Sequence, residues 1–339
     1  MHPLVAIKDN MPIHKSRIFA STALACTLMM AGGPLAQAQD TAYPNGTINF
    51  VVPATPGGAT DVVARHVAKQ LALNWGVPVL VENRAGAGGV IGAKHVIESK
   101  PDGRTILVAP SALGVRTGLD RKLPYDAVRD LAGVSLMART PSYLVVSPAL
   151  GVNSVEELTK LIKSKKETVM YASAGVGSTG HLHAAMLANA MGFDGTHVPY
   201  RGTPEAVNDT VTERVMYVFA PGPNALPFAR DGRARVLATT SQAGVEFANG
   251  VAPVAPEVLT KDIGDDWYAA FVPAGTPKDI RVKLSSEIAR ILATPEMKAN
   301  FTKFGAQPVS SNPDELDAMF KAYVAKARNI GDAAKIKLD

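Results

Sequence analysis

The chain has 339 residues, 47% hydrophobic and 19% charged, a balance that suits two folded domains of ordinary size with substantial cores. Its formal charge is +5 and only 6% of its residues are aromatic. With no dense Lys/Arg block, nucleic acid is a poor partner, and sugar or single-strand binders, which need stacking platforms, fit no better.

The first 38 residues read as a secretory signal rather than fold. Lys15 and Arg17 precede the apolar run "IFASTALACTLMMAGG", and "AQA" at Ala36–Ala38 ends in small residues, which predicts cleavage after Ala38 and export to the periplasm. Met11 offers an alternative start, since "MPIHKSRIF" is the better charged opening. A membrane anchor fits less well, because the apolar stretch is short for a span and a processing site follows it. Cys26 is the one cysteine; Ala23 stands where lipoprotein processing requires leucine, so Cys26 is expected to leave with the signal. The mature chain is then thiol-free, with no disulfide or cysteine metal site. Removing Lys8, Lys15, Arg17 and Asp9 with residues 1–38 leaves a charge of +3.

From Gln39 onward β-type and helical patterns alternate. "TINFVVPA", "VPVLVENR" and "TILVAPS" are short β-branched runs bounded by Pro, Gly and Asn, the pattern of buried parallel strands. Between the first two, Val63, Ala64, Val67, Ala68 and Leu71 repeat at helical spacing from about Thr60 to Trp75, and Gly76 stands at the stop position. "GGVIGAKHVIESK" supplies a second helix, completing a doubly wound half. A second half follows: strand "SYLVVSP", helix "NSVEELTKLIKSK" with Ser154 and Glu157 as a capping box, strand "TVMYASA", helix "HLHAAMLANAM", strand "THVPY", helix "PEAVNDTVTE", then strands "MYVFAP" and "RVLATTS". After the irregular "GDDW", a strand "YAAFVPA" and two or three helices close the chain. The fold class expected is α/β, with two doubly wound domains joined by two crossings like a clam shell. Domain 1 is 39–141 plus 268–339, domain 2 is 142–267, and the hinges lie near Arg139–Ser142 and Asp265–Ala270.

Two glycine-rich turns stand out. "PATPGGATD" runs from a strand into the first helix, and "GVGSTG" (Gly175–Gly180) follows a strand and opens another. The second matches a dinucleotide fingerprint, with Arg201 placed to meet a 2′-phosphate. An exported chain, however, folds away from the nicotinamide nucleotide pool. As a phosphate loop it lacks the Lys-Ser/Thr pair, since His181-Leu182 stands there. An anion-binding helix N-terminus is the reading that remains. His181 and His183 lie two apart, so their side chains diverge by about 200° and cannot share a metal; His181 serves either as a ligand contact or in local capping and packing. Ser178, Ser173 and Ser111 do not sit in the G-x-S-x-G elbow of a hydrolase. Asp61 in a first helical turn either favours the helix dipole or meets a ligand amine. The residues call for no metal, no cofactor and no catalytic group.

Taken together, "PATPGGATDVVAR" (Pro53–Arg65), "VENRAGAGGVIGA" (Val81–Ala93), "PDGRT" (Pro101–Thr105), "YASAGVGSTGHL" (Tyr171–Leu182), "VPYRG" (Val198–Gly202), "PAGTP" (Pro273–Pro277) and the closing "IKLD" resemble the signature blocks of the Bug-type solute receptors of tripartite tricarboxylate transporters. The resemblance runs in order through the whole mature chain. It implies a periplasmic receptor, not an enzyme, monomeric, whose two domains close on a small organic carboxylate and deliver it to membrane permease subunits. It implies ligand contacts from one turn of each domain: Ala54, Thr55, Gly57, Gly58, Ala59, Thr60 and Asp61 from the first, with Ser111; Ala174, Gly175, Gly177, Ser178, Thr179 and His181 from the second, with Tyr200 and Asp209. The chain departs from the family pattern in three places. Ala185 stands where glutamate is frequent, Glu213 and Met216 replace Gly and Asp in the "DTVTERVM" block, and "NGVAPVAPEVL" blurs a familiar "LPDVPT". These departures leave the identity of the solute open. A sensory co-receptor has the same binding chemistry with a different membrane partner, and an exported hydrolase is the remaining alternative.

Overall fold

The computed structural model describes residues 43–165, 168–241 and 264–334. The expected signal segment with Cys26, the "NGVAPVAPEVL" departure and the closing "IKLD" lie outside the described residues.

Two mixed sheets organise the chain. The first carries β1 (Ile48–Val52), β2 (Val79–Asn83), β3 (Thr105–Pro110), β4 (Leu131–Thr140), β10 (Asp266–Pro273) and β11 (Gln307–Pro308), in the order β11-β4-β10-β3-β1-β2. The second carries β5 (Ser142–Val146), β6 (Val169–Ser173), β7 (Gly195–Pro199), β8 (Tyr217–Pro221) and β9 (Arg235–Thr239), in the order β7-β6-β8-β5-β9. In each sheet one strand lies between two parallel neighbours reached in opposite directions: β1 pairs in parallel with β2 and β3, and β6 with β7 and β8. Those are topological switch points, where the turns leaving the strand ends splay apart and open a crevice. The strands that carry the chain between sheets run the other way: β10 is antiparallel to β3 and β4, and β5 to β8 and β9.

Helices cover both faces. In the first lobe α1 (Ala59–Trp75) buries Val63, Val67 and Leu71 on the sheet, each fully buried aliphatic contributing about 1.5–3 kcal/mol. Gly76 ends it in the left-handed conformation, its N–H on the Ala72 carbonyl. The helices α2 (Val90–Ile97), α3 (Ala112–Leu119), α4 (Ala127–Asp130), α9 (Lys278–Leu292), α10 (Pro295–Lys303) and α11 (Pro313–Ala334) complete that lobe's cover. In the second lobe the helices are α5 (Val155–Ser164), α6 (Thr179–Met191), α7 (Thr203–Val211) and α8 (Gly222–Arg230). Each sheet has an apolar cluster on either face. A small fifth cluster joins the lobes, with Val115 of α3 against Leu182 of α6, both fully buried.

Three local expectations change on contact with the fold. The segment 112–140, read without elements, forms α3, α4 and the ten-residue β4; tertiary pairing with β10 makes a strand of it. "GDDW" is not wholly irregular, because β10 begins at Asp266, which pairs with Thr140. The capping box is offset: Ser154 Oγ accepts from Glu157 N at 3.1 Å, but the Glu157 carboxylate takes Asn153 N at 2.7 Å.

Candidate functional site: two glycine-rich turns across the lobe interface

The turn after β1 is shaped from within. Gly57 sits at φ 77°, and its N–H donates to Asp61 Oδ2 at 3.0 Å. Asp61 is 3% exposed and also receives Arg65 Nε at 2.9 Å and Asn83 Nδ2 at 2.9 Å. Burial alone would raise its pKa, but the bonds from Arg65, Gly57 and Asn83 outweigh it and hold the carboxyl below its usual range. Both oxygens are therefore engaged inside the first lobe. Gly58 is the N-cap of α1 and offers no side chain, so the first-turn N–H groups of Ala59, Thr60 and Asp61 depend on partners outside the helix. Gly58 N donates to Thr55 O, closing the turn that Ala54 and Thr55 begin. Thr55 Oγ1 is enclosed and has no partner, and it lies where any Cβ on Gly202 of the second lobe would strike it.

The turn after β6 is built on the same plan. Gly175 (φ 118°) and Gly177 (φ 78°) take backbone angles that favour glycine. Ala174 lies before them, half-buried. Ser178 caps α6, its Oγ accepting His181 N at 3.2 Å. A serine that accepts one bond still carries a proton to donate. The His181 ring turns back on the turn, and its Nδ1 accepts Gly177 N at 3.3 Å. That fixes the neutral Nε2–H tautomer. The ring stacks on His197 with 3.8 Å between centroids, and Tyr171 lies beyond. Burial pushes both imidazoles down to about 4, His181 adding to the effect on His197. His197 Nε2 lies 2.6 Å from Ser173 Oγ, which also accepts Gly175 N.

The second turn meets the first lobe through Ser111 and Thr179. Ser111 begins α3 at the end of β3 and is completely buried; its Oγ lies 2.9 Å from Thr179 Oγ1 and donates to Asp266 Oδ1 at 2.7 Å. The other oxygen of Asp266 receives Ser142 Oγ at 2.7 Å. One buried carboxylate thus ties the end of β3, the start of β5 and the start of β10, where the chain passes between lobes. The Tyr323 hydroxyl of α11 is enclosed beside Ser111 and Thr179.

Tyr200 and Asp209 stand behind the second turn. Tyr200 N donates to Ser173 O, the Tyr200 carbonyl crowds Gly175, and the phenol donates to Asp209 Oδ2 at 2.7 Å. Asp209 also receives Arg214 Nη1 at 3.1 Å. The structure joins Ser111 to Thr179 of the 174–181 turn and sets Thr55 against Gly202 of the second lobe, while Gly57, Gly58, Ala59 and Thr60 form the turn after β1 and Asp61, Tyr200 and Asp209 act from behind the turns. His183 is fully buried against Phe219, away from His181.

Four further residues touch this arrangement and were not singled out as candidate contacts from sequence: Asn224, whose amide reaches the first turn, Arg116, whose guanidinium reaches the second, and Asp266 and Ser142 at the crossings. Each is a single polar residue whose partners are distant in sequence, so no spacing flags it.

A family model described as the tripartite tricarboxylate transporter family receptor matches residues 63–336. The chain belongs to this family. Among solved structures, the periplasmic binding protein BugD is 29% identical with a TM-score of 0.81, covering 87% of this chain and 99% of its own. Rpa4515 of R. palustris with adipate is 27% identical with a TM-score of 0.83, over 87% and 99%. MatC of Rhodopseudomonas palustris with bound malate is 26% identical with a TM-score of 0.78, over 85% and 99%. The Bug-type likeness read from the signature blocks is thus matched by fold and sequence together, and the two-lobed α/β architecture is that of periplasmic binding proteins.

Proposed function

We propose that this family member is a periplasmic solute receptor, exported by a cleavable segment at residues 1–38, that captures a small carboxylate-bearing solute between its lobes and delivers it to the membrane permease of a tripartite tricarboxylate transporter. The observation that carries the reading is a glycine-rich turn at the N-terminus of α1 in one lobe and of α6 in the other, the second joined to the first lobe by the Ser111–Thr179 contact. Helix N-termini present N–H donors and a positive field of about half a charge, the complement of a carboxylate. Two or three charge-assisted bonds of about 1.5–3 kcal/mol each contribute roughly 3–9 kcal/mol in all, set against the cost of association. The adipate and malate held by relatives support the same ligand class.

In this reading the lobes, 39–141 with 268–339 and 142–267, rotate about the crossings near Arg139–Ser142 and Asp265–Ala270 as a monomer closes on its solute. A thermal-shift screen of mono-, di- and tricarboxylates, aromatic acids and acidic amino acids tests the function. A ligand at a hundred times its Kd adds about 2.7 kcal/mol to the stability of the folded state, so a raised melting temperature with some carboxylates and none with neutral analogues is expected. A screen in which no carboxylate shifts the transition contradicts the reading.

A further inference from the structure

Each turn also receives a side chain from the opposite lobe. Asn224, in the first turn of α8 and 6% exposed, directs both arms of its amide at the turn after β1: Oδ1 accepts Ala59 N at 3.1 Å, and Nδ2 donates to Gly57 O at 3.3 Å. It supplies from the second lobe the cap that Gly58 cannot offer to α1. In the other direction Arg116, on α3 of the first lobe, donates through Nη1 to the Val176 carbonyl at 2.9 Å. Val176 lies between Gly175 and Gly177, two glycines at positive φ, so its peptide plane is the freest to turn in that segment. Arg116 is only 16% exposed and its second arm meets Asp120 at 3.3 Å. Gly88 makes the path possible, since a Cβ there would come within 2.4 Å of Nη1.

We infer that Asn224 and Arg116 are reciprocal positioning residues: each adds the last brace to the opposite lobe's anion-facing turn, so the binding geometry of the two turns is completed only when the lobes come together. The inference rests on the carboxylate-receptor reading for what the turns hold, and on the contacts alone for how they are held. It makes closure and site assembly one event. A solute that closes the lobes completes both turns at once, and an open receptor presents two incompletely capped ones. Because both braces form only on closure, their loss acts on the lifetime of the closed state rather than on encounter.

The experiment uses full-length protein in a Cys26→Ser background with spin labels at Leu73→Cys and Lys160→Cys, exposed positions on opposite lobes. Distance distributions are measured without ligand for the parent, for Asn224→Ala, for Arg116→Met, for both together, and for Arg129→Ala, whose exposed ion pair lies away from the interface. Asn224→Ser and Arg116→Lys replace the truncations if those do not fold. Each brace variant should lose short-distance population to longer distances, and the double variant should lose most. With adipate as probe, dissociation should quicken about five- to tenfold per brace with association nearly unchanged. Distance distributions that match the Arg129→Ala control overturn the inference, whatever adipate does. Open variants of a parent that does not bind adipate uphold the bracing and count against adipate as the solute class.

Discussion

Ser111 Oγ and Thr179 Oγ1 lie 2.9 Å apart although 68 residues separate them, and their bond joins the two lobes at the start of α6. Ser111 is anchored from below by Asp266. Thr179 Oγ1 lies beside Ser111 Oγ and the enclosed Tyr323 hydroxyl, and in the proposed reading it exchanges Ser111 for a ligand oxygen.

Thr179→Val should therefore weaken carboxylate binding about ten- to a hundredfold, the worth of one charge-assisted hydrogen bond, with little change in the unliganded melting temperature. Ser178→Ala should do something different. Its Oγ caps α6 through His181 N, so about 1 kcal/mol of stability should go along with affinity. Calorimetric titration and thermal denaturation of the two variants separate these patterns. Unchanged affinity in Thr179→Val would remove the second turn from the site.

Gly57 and Gly177 both occupy φ near 78°, a region that a β-branched residue resists. Gly57→Val and Gly177→Val should each weaken binding more than His183→Ala. That histidine is fully buried beside Phe219, so its loss should appear as a lowered melting temperature with affinity retained. Equal affinities in all three variants would mean that the glycines shape a turn with no part in binding.

The stacked pair His181 and His197 sets a pH dependence. Burial pushes both from the usual 6.5 down to about 4 in the folded chain. Between those values the unfolded chain binds more protons, so their contribution to stability is complete above pH 6.5 and is lost as pH falls toward 4. Asp265 works against this. Burial and the neighbouring Asp266 raise it from 3.8 to about 6, so it favours the folded state as pH falls through the same window. The difference between wild type and His181→Gln isolates the histidine term. Melting temperatures recorded from pH 7.5 to 4.5 should show a smaller acid-side loss in the variant, and parallel curves would contradict the assignment.

Asp61 tests the turn from behind. Its carboxylate holds Gly57 N, Arg65 and Asn83 together without facing the opposite lobe. Asp61→Ala leaves buried donors unpaired and should cost about 1–3 kcal/mol of stability, with weaker binding that follows from a loosened turn. The affinity loss should be the same for ligands with and without an amino group. A loss confined to amino-bearing ligands would instead make Asp61 a direct ligand contact.

Much of this was legible in the chain itself. The helix after "PATPGGATD" follows from apolar residues at helical spacing and a glycine stop, and α1 runs from Ala59 to Trp75 within one residue of that reading. The two turns are visible because glycines cluster between a β-branched run and an amphipathic one. β4 was not visible, because "LAGVSLMART" mixes small and apolar residues without alternation and becomes a strand only between β10 and β11. Asn224, Arg116 and Asp266 were hidden for another reason. Their roles depend on partners between 60 and 167 positions away, and nothing local distinguishes them from the chain's other polar residues.

The central claim is that the two turns grip a carboxylate. Calorimetric titration of the purified protein with the diacids adipate, malate and succinate, each beside its uncharged diamide, tests it most directly. At least one diacid should bind with a Kd in the micromolar range, about −8 kcal/mol, and its diamide at least about a hundredfold more weakly, since two charge-assisted bonds are lost. Equal binding of acid and amide, or no binding of any acid, would contradict it.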